Sequence, residues 1–88
     1  MFRLWGKVMH DNHLLADTVF EEDSCDTRTH KVFRGLEEIC YRLDLGVPVW
    51  LDKNADDFKR HAKARFTQDN FIEGIDFDYL EIQVIEEG

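Results

Sequence analysis

Between residues 2 and 9 the chain alternates. Phe2, Leu4, Gly6 and Val8 fall on one side, Arg3, Trp5 and Lys7 on the other. Period-two alternation marks a strand with one buried face. Residues 14–21, LLADTVFE, are also β-prone. Between the two runs stands HDNH (10–13), in which Asp11 and Asn12 tolerate the left-handed backbone of a tight turn. Together these features predict a β-hairpin. Trp5 is out of place on the more polar side: either something covers that face, or Trp5 is a contact residue.

An acidic loop, residues 21–26, leads into a helical pattern. Val32, Phe33, Leu36, Ile39, Cys40 and Leu43 make one apolar stripe. Asp26 or Thr29 suits the N-cap. Gly46 and then Pro48 supply the stop signal. Gly35 inside this helix costs about 1 kcal/mol against alanine, which is offset only if another element packs closely there.

The apolar run VPVWL (47–51) leaves room for a brief strand. A short helix is expected over about 55–63, capped by Asn54, with Asp56 and Asp57 in its first turn. RFTQ (65–68) reads as an edge strand and 69–75 as a loop. Near the end, Leu80, Ile82 and Val84 alternate with Glu81, Gln83 and Ile85 in the strongest strand pattern of the chain. Ile75, Phe77 and Tyr79 alternate in the opposite phase, which implies a bulge or bend near Tyr79. The pattern therefore predicts a single α+β domain over residues 1–88. Its sheet, antiparallel or mixed, would join the N-terminal hairpin to the C-terminal strand and carry one long and one short helix.

Composition narrows the classes of function. The chain has 88 residues, 43% of them hydrophobic, and a formal net charge of −8. No apolar run approaches the ~20 residues of a membrane span, and the N-terminus lacks a continuous apolar leader segment. A cytoplasmic protein with no membrane contact is expected. Phosphate backbones are bound chiefly through cations, so the acidic balance argues against nucleic acid. It points instead to a protein partner, another chain or a second copy. Cys40 falls in the apolar stripe and Cys25 in a polar loop. Two free thiols are expected, because disulfides are uncommon in the cytosol. No motif calls for a cofactor, and none marks an enzyme.

One stretch, KRHAKARFTQDNFIEG (59–74), looks chemical. Four cations and a histidine fall within residues 59–65. Lys59 and Lys63 share a face if the helix reaches residue 63, with Arg60 and Arg65 beside them. Clustered cations next to Phe66 and Phe71 suit an anion or a nucleotide, with rings for stacking and the amides of Gln68 and Asn70 for hydrogen bonds. The competing explanation is structural, since cations near a helix C-terminus complement its dipole. Trp5, Trp50 and Phe71 are candidate partner contacts, because binding energy concentrates on aromatic side chains. His10 and His13 with Asp11 offer metal-ligand chemistry but lack the spacing of a zinc site.

The strings LWGK (4–7), DTRTHK (26–31), RFTQDNFIE (65–73) and DFDYLEIQVIEE (76–87) resemble a family of small uncharacterised bacterial proteins. The resemblance spans nearly the whole chain and implies a stand-alone bacterial domain. That family has no assigned activity, so no residue role follows from it. The expected function is a non-catalytic interaction or regulatory domain. The alternative is an anionic small-ligand or nucleotide site, conceivably enzymatic, on the basic segment 59–65.

Overall fold

The computed structural model describes residues 1–87. Strand β1 (Phe2–His10) and β2 (His13–Glu22) form the hairpin, joined by Asp11 and Asn12 at positive φ. Helix α1 (Arg28–Arg42) and the shorter α2 (Asp52–His61) follow. Then come β3 (Lys63–Phe66), a 3-10 turn (Gln68–Asn70) and β4 (Tyr79–Glu86). The strands form one sheet in the order β2-β1-β4-β3, and every pair is antiparallel. The α+β expectation holds, and the sheet is antiparallel rather than mixed.

The alternating positions explain the layering. Phe2, Leu4, Val8, Ala64, Phe66, Leu80 and Ile82 point to one face and are buried there with Val32, Leu36, Ile39 and Cys40 of α1. Two glycines set how closely α1 lies on the sheet. A Cβ at Gly6 would collide with the Ile39 side chain, and one at Gly35 would stand 2.8 Å from Leu4 and 2.9 Å from Phe20. The interior glycine of α1 thus occupies a helix–sheet contact with no room for a methyl group. Cys25 is exposed and Cys40 buried, both as free thiols. Burial pushes the Cys40 thiol up to about 11.

Five local expectations need correction. Thr27, not Asp26 or Thr29, caps α1, accepting the His30 N–H at 3.3 Å. Asp26 stands one residue earlier and accepts the Thr27 N–H. Residues 47–51 form no strand; the segment is extended, and Val49 is tied to Asn70 by a backbone bond of 2.7 Å. Helix α2 starts earlier and ends earlier than periodicity suggests, because Ala62 adopts a left-handed conformation and turns the chain into β3. Asn54 is therefore inside α2, where its Oδ1 accepts the Leu51 N–H at 3.0 Å. No bulge occurs at Tyr79, where β4 begins. The register shifts lie between Val8 and Met9, opposite Leu15, and between Arg3 and Leu4, opposite Ile85. The phase change in sequence is a loop entering the strand: Phe77 reaches the core from outside the sheet.

Candidate functional site

Both helices pack on the core face, so the opposite face of the sheet carries only its own side chains. Strand register assembles them into rows. Asp17, Lys7, Glu81 and Arg65 stand abreast across all four strands, alternating in charge. Val19, Trp5, Gln83 and Lys63 form the next row. Glu81 is 6% exposed. Its carboxylate receives Lys7 Nζ at 2.7 Å and Arg65 Nε at 2.8 Å. Burial alone would push this carboxyl up, but the hydrogen bonds from Arg65 and Lys7 outweigh it and hold the group below the usual carboxylate range.

The aromatic rings of this face sit against its cations. Lys7 Nζ lies 4.0 Å from the Trp5 ring centre, and the Arg65 guanidinium carbon 4.6 Å from that of Tyr79. The Trp5 indole N–H donates to Asp17 at 2.9 Å. Trp5 is half-buried between Val19 and Gln83 of the neighbouring strands. The result is a platform whose central ion pairs are already formed and whose apolar area combines the Trp5 and Tyr79 rings with aliphatic neighbours such as Val19.

The stretch 59–74 does not form one surface. Lys59 and Arg60 are exposed on the last turn of α2, Lys63 lies on β3, and the left-handed residue Ala62 separates them, so Lys59 and Lys63 share no helix face. Arg65 faces the open side of the sheet, committed to Glu81. Phe66 is fully buried beneath Trp50, with ring centres 5.1 Å apart, and has no free face for stacking. Phe71 packs edge-on against Phe77 at 5.8 Å. Gln68 ties the following loop to itself, donating to the Glu73 carbonyl and accepting the Ile75 N–H, each at 2.8 Å.

Asn70 is structural as well. It is buried and donates to the Val49 carbonyl at 2.7 Å and to Asn54 Oδ1 at 2.6 Å, while its own Oδ1 accepts the Thr67 N–H. Asn54 Nδ2 in turn donates to the Arg65 carbonyl at 2.8 Å. Two buried amides thus satisfy backbone groups of α2, β3, the 47–51 segment and the 3-10 turn. This network locates the basic residues without being a site.

A groove of about 280 Å³ opens between the first turns of α1 and the body of α2. Trp50 lines it, meeting Phe33 at 6.0 Å and Phe58 at 5.8 Å, both edge to face. Arg28 and Lys59 stand on its rim. Arg28 stacks over Phe58 at 5.1 Å and pairs with Glu87 at 2.7 Å. Lys59 has no carboxylate partner among the described residues. The buried Trp50 indole nitrogen has no acceptor among the described residues, an omission that costs about 1–3 kcal/mol.

At the hairpin tip, His10, Asp11 and Asp78 converge within ligand distance of one another. Asp78 takes the place that the sequence suggested for His13. Its Oδ2 accepts the Asp11 N–H at 2.9 Å, and the two His10 ring nitrogens face Asp78 at 3.2 Å and Asp11 at 3.3 Å. These contacts brace the hairpin against the start of β4.

Lys7, Tyr79 and Glu81 of the open face, and Arg28 and Phe33 of the groove, were not singled out by sequence reasoning. For Lys7 and Glu81 a signal was present, since each lies at a polar position of a strongly alternating strand. Their meeting depends on β1 pairing with β4, which alternation does not reveal. No family model, curated protein or solved structure matches the chain.

Proposed function

We propose that the protein is a small, non-catalytic interaction domain that docks a protein partner on its open sheet face, centred on Trp5. The observation that carries this reading is the aromatic platform with its central ion pairs already formed. Lys7 and Arg65 are spent on Glu81, and exposed Lys63 is matched in number by exposed Asp17, so the face offers no net surplus of cations for a polyanion. It does offer half-buried Trp5 and Tyr79, the kind of side chain on which binding energy concentrates. Docking there withdraws the rings from water while keeping the Lys7–Glu81–Arg65 network intact, and leaves exposed Asp17 and Lys63 for polar groups of the partner. A cytoplasmic setting fits the same reading.

The alternative of a continuous anion site along 59–65 is weakened by the division of those cations between α2, β3 and the Glu81 ion pair. Lys59 alone keeps an unpaired charge beside an aromatic cleft, and it belongs to a different surface.

The test compares wild type with Trp5→Ala in solution mass and in affinity capture from the source cells, with circular dichroism as the fold control. Expected is a self-associated species or a specific captured protein that is lost with Trp5→Ala. A monomeric mass with no captured protein, or capture indifferent to Trp5, would overturn the reading.

A further inference from the structure

We infer that the groove between α1 and α2 is a binding site for a small apolar carboxylate, such as a medium-chain or aromatic acid. This is a ligand site separate from the sheet face, and it stands without that reading.

Charge distribution is the first support. The protein carries a net charge of −8, and three other clefts on its surface are each lined by three carboxylates: Asp44, Glu73 and Asp76 in one, Glu22, Glu37 and Glu38 in another, Asp57, Asp69 and Glu81 in the third. The α1–α2 groove is lined by no acid at all, yet bears Arg28 and Lys59. In so acidic a protein a cleft with no acid in its lining, one unpaired cation in Lys59 and a second, Arg28, shared with Glu87 concentrates positive potential where the wall is least polar.

The second support is the position of α1. Its N-terminal residues Arg28 and Thr29 line the groove, and its first turn contains no acidic residue. The positive end of the helix dipole adds to the unpaired charge of Lys59, whereas Arg28 is balanced by Glu87 and Asp26 lies just before the N-cap. A bound anion is therefore favoured chiefly on the Lys59 side of the groove.

The third support is the floor. Phe33, Trp50 and Phe58 supply an apolar wall, and Phe33 remains 47% exposed although it belongs to the apolar stripe of α1. Ligand clefts of this kind are mostly apolar with a few placed polar groups, and typically hold about 300–1,000 Å³. A groove of about 280 Å³ falls just below that range and suits a correspondingly small ligand. Trp50 presents its ring to the groove, while its indole nitrogen is buried away from solvent. An apolar tail against the rings and a carboxylate toward Lys59 and Arg28 uses both the apolar floor and the cationic rim. Arg28 is held by Glu87, so the ligand competes with that carboxylate for Arg28 and meets Lys59 unopposed.

The chain has two tryptophans, so Trp5→Phe leaves Trp50 as the single reporter. Its emission is followed while octanoate, octanol or octylammonium is added below micelle-forming concentrations. Expected is a saturable change with octanoate, binding about fivefold or more weaker in Trp5→Phe/Lys59→Gln, and a similar loss when octanol replaces octanoate. Lys59 is exposed, so its substitution leaves the fold intact, as circular dichroism would verify. Absence of a saturable response to octanoate would overturn the inference. So would equal affinity for octanoate and octanol, tighter binding of octylammonium, or indifference to Lys59→Gln.

Discussion

At the scale of single residues, Glu81 is the decisive ionisable group. It lies on the sheet face away from the core, yet it is nearly inaccessible because Lys7, Arg65 and the neighbouring rings close over it. A buried carboxylate flanked by two cations is held in place by all three charges. Glu81→Gln would leave half-buried Lys7 without its carboxylate partner and with only neutral amide acceptors, Gln83 among them at 3.4 Å. The expected loss is about 2 kcal/mol in urea unfolding, less than the 3–5 kcal/mol of a fully buried pair because Arg65 can turn to water. A loss under about 0.5 kcal/mol, the value of a surface pair, would show that the network is not desolvated in solution. Trp50 is the other residue with an energetic anomaly, an aromatic ring packed on three others with its one polar atom left without an acceptor among the described residues.

Among the elements, the turn from α2 into β3 shapes the molecule most. Ala62 sits at φ 55° and ψ 29°, a conformation that disfavours any side chain with a Cβ. It ends α2 and turns Lys63 and Arg65 onto the sheet edge, dividing the basic segment. Ala62→Gly removes that strain, worth about 1–2 kcal/mol, against an unfolded-state entropy penalty of about 0.5–1 kcal/mol. The expected outcome is a higher thermal midpoint, by about 2–8 °C for a domain this size. A lower midpoint would mean that the left-handed turn is not populated by the native chain. On α1, the interior glycine illustrates the same principle in reverse: its low helix propensity is tolerated because Leu4 and Phe20 occupy the space of its missing side chain.

For the whole molecule, the excess of acids is managed by pairing at specific places. Hydrogen bonds from Arg34 and Ser24 hold Glu22 down to about 2. Asp26 is held well below its ordinary range by His30, then by the Thr27 N–H and Arg34. Glu81 is lowered too. A carboxylate depressed in the folded state stabilises it above the unfolded value, and that contribution disappears as pH falls through the folded value. For the two glutamates the ordinary value is 4.5. Unfolding midpoints are therefore expected to stay level from pH 7 to about 5 and to fall from there toward pH 2. Arg34→Met should reduce the slope, chiefly through Glu22, while His30 and the Thr27 N–H keep most of the Asp26 contribution. A midpoint unchanged between pH 5 and 3 would contradict these pairings.

Local sequence determined the hairpin, the long helix and the C-terminal strand, because each rests on a periodicity that neighbouring residues alone impose. Phe2-Leu4-Gly6-Val8, the stripe from Val32 to Leu43 and Leu80-Ile82-Val84 each required a single buried face, whatever it was buried against. Weaker patterns were settled by contacts distant in sequence. Residues 47–51 had the composition of a strand, but Asn70 and the aromatic cluster took up the segment instead of a sheet neighbour. Lys59 and Lys63 had helical spacing, but the edge of β4 drew Lys63 into pairing with Gln83. The candidate surfaces lie furthest from what sequence specifies: Lys7 meets Glu81 across 74 positions and Arg28 faces Lys59 across 31, and only chain closure brings such pairs together. Side-chain period is a property of the backbone and is written locally; which faces meet is a property of the packed whole, decided by how the apolar stripes bury one another.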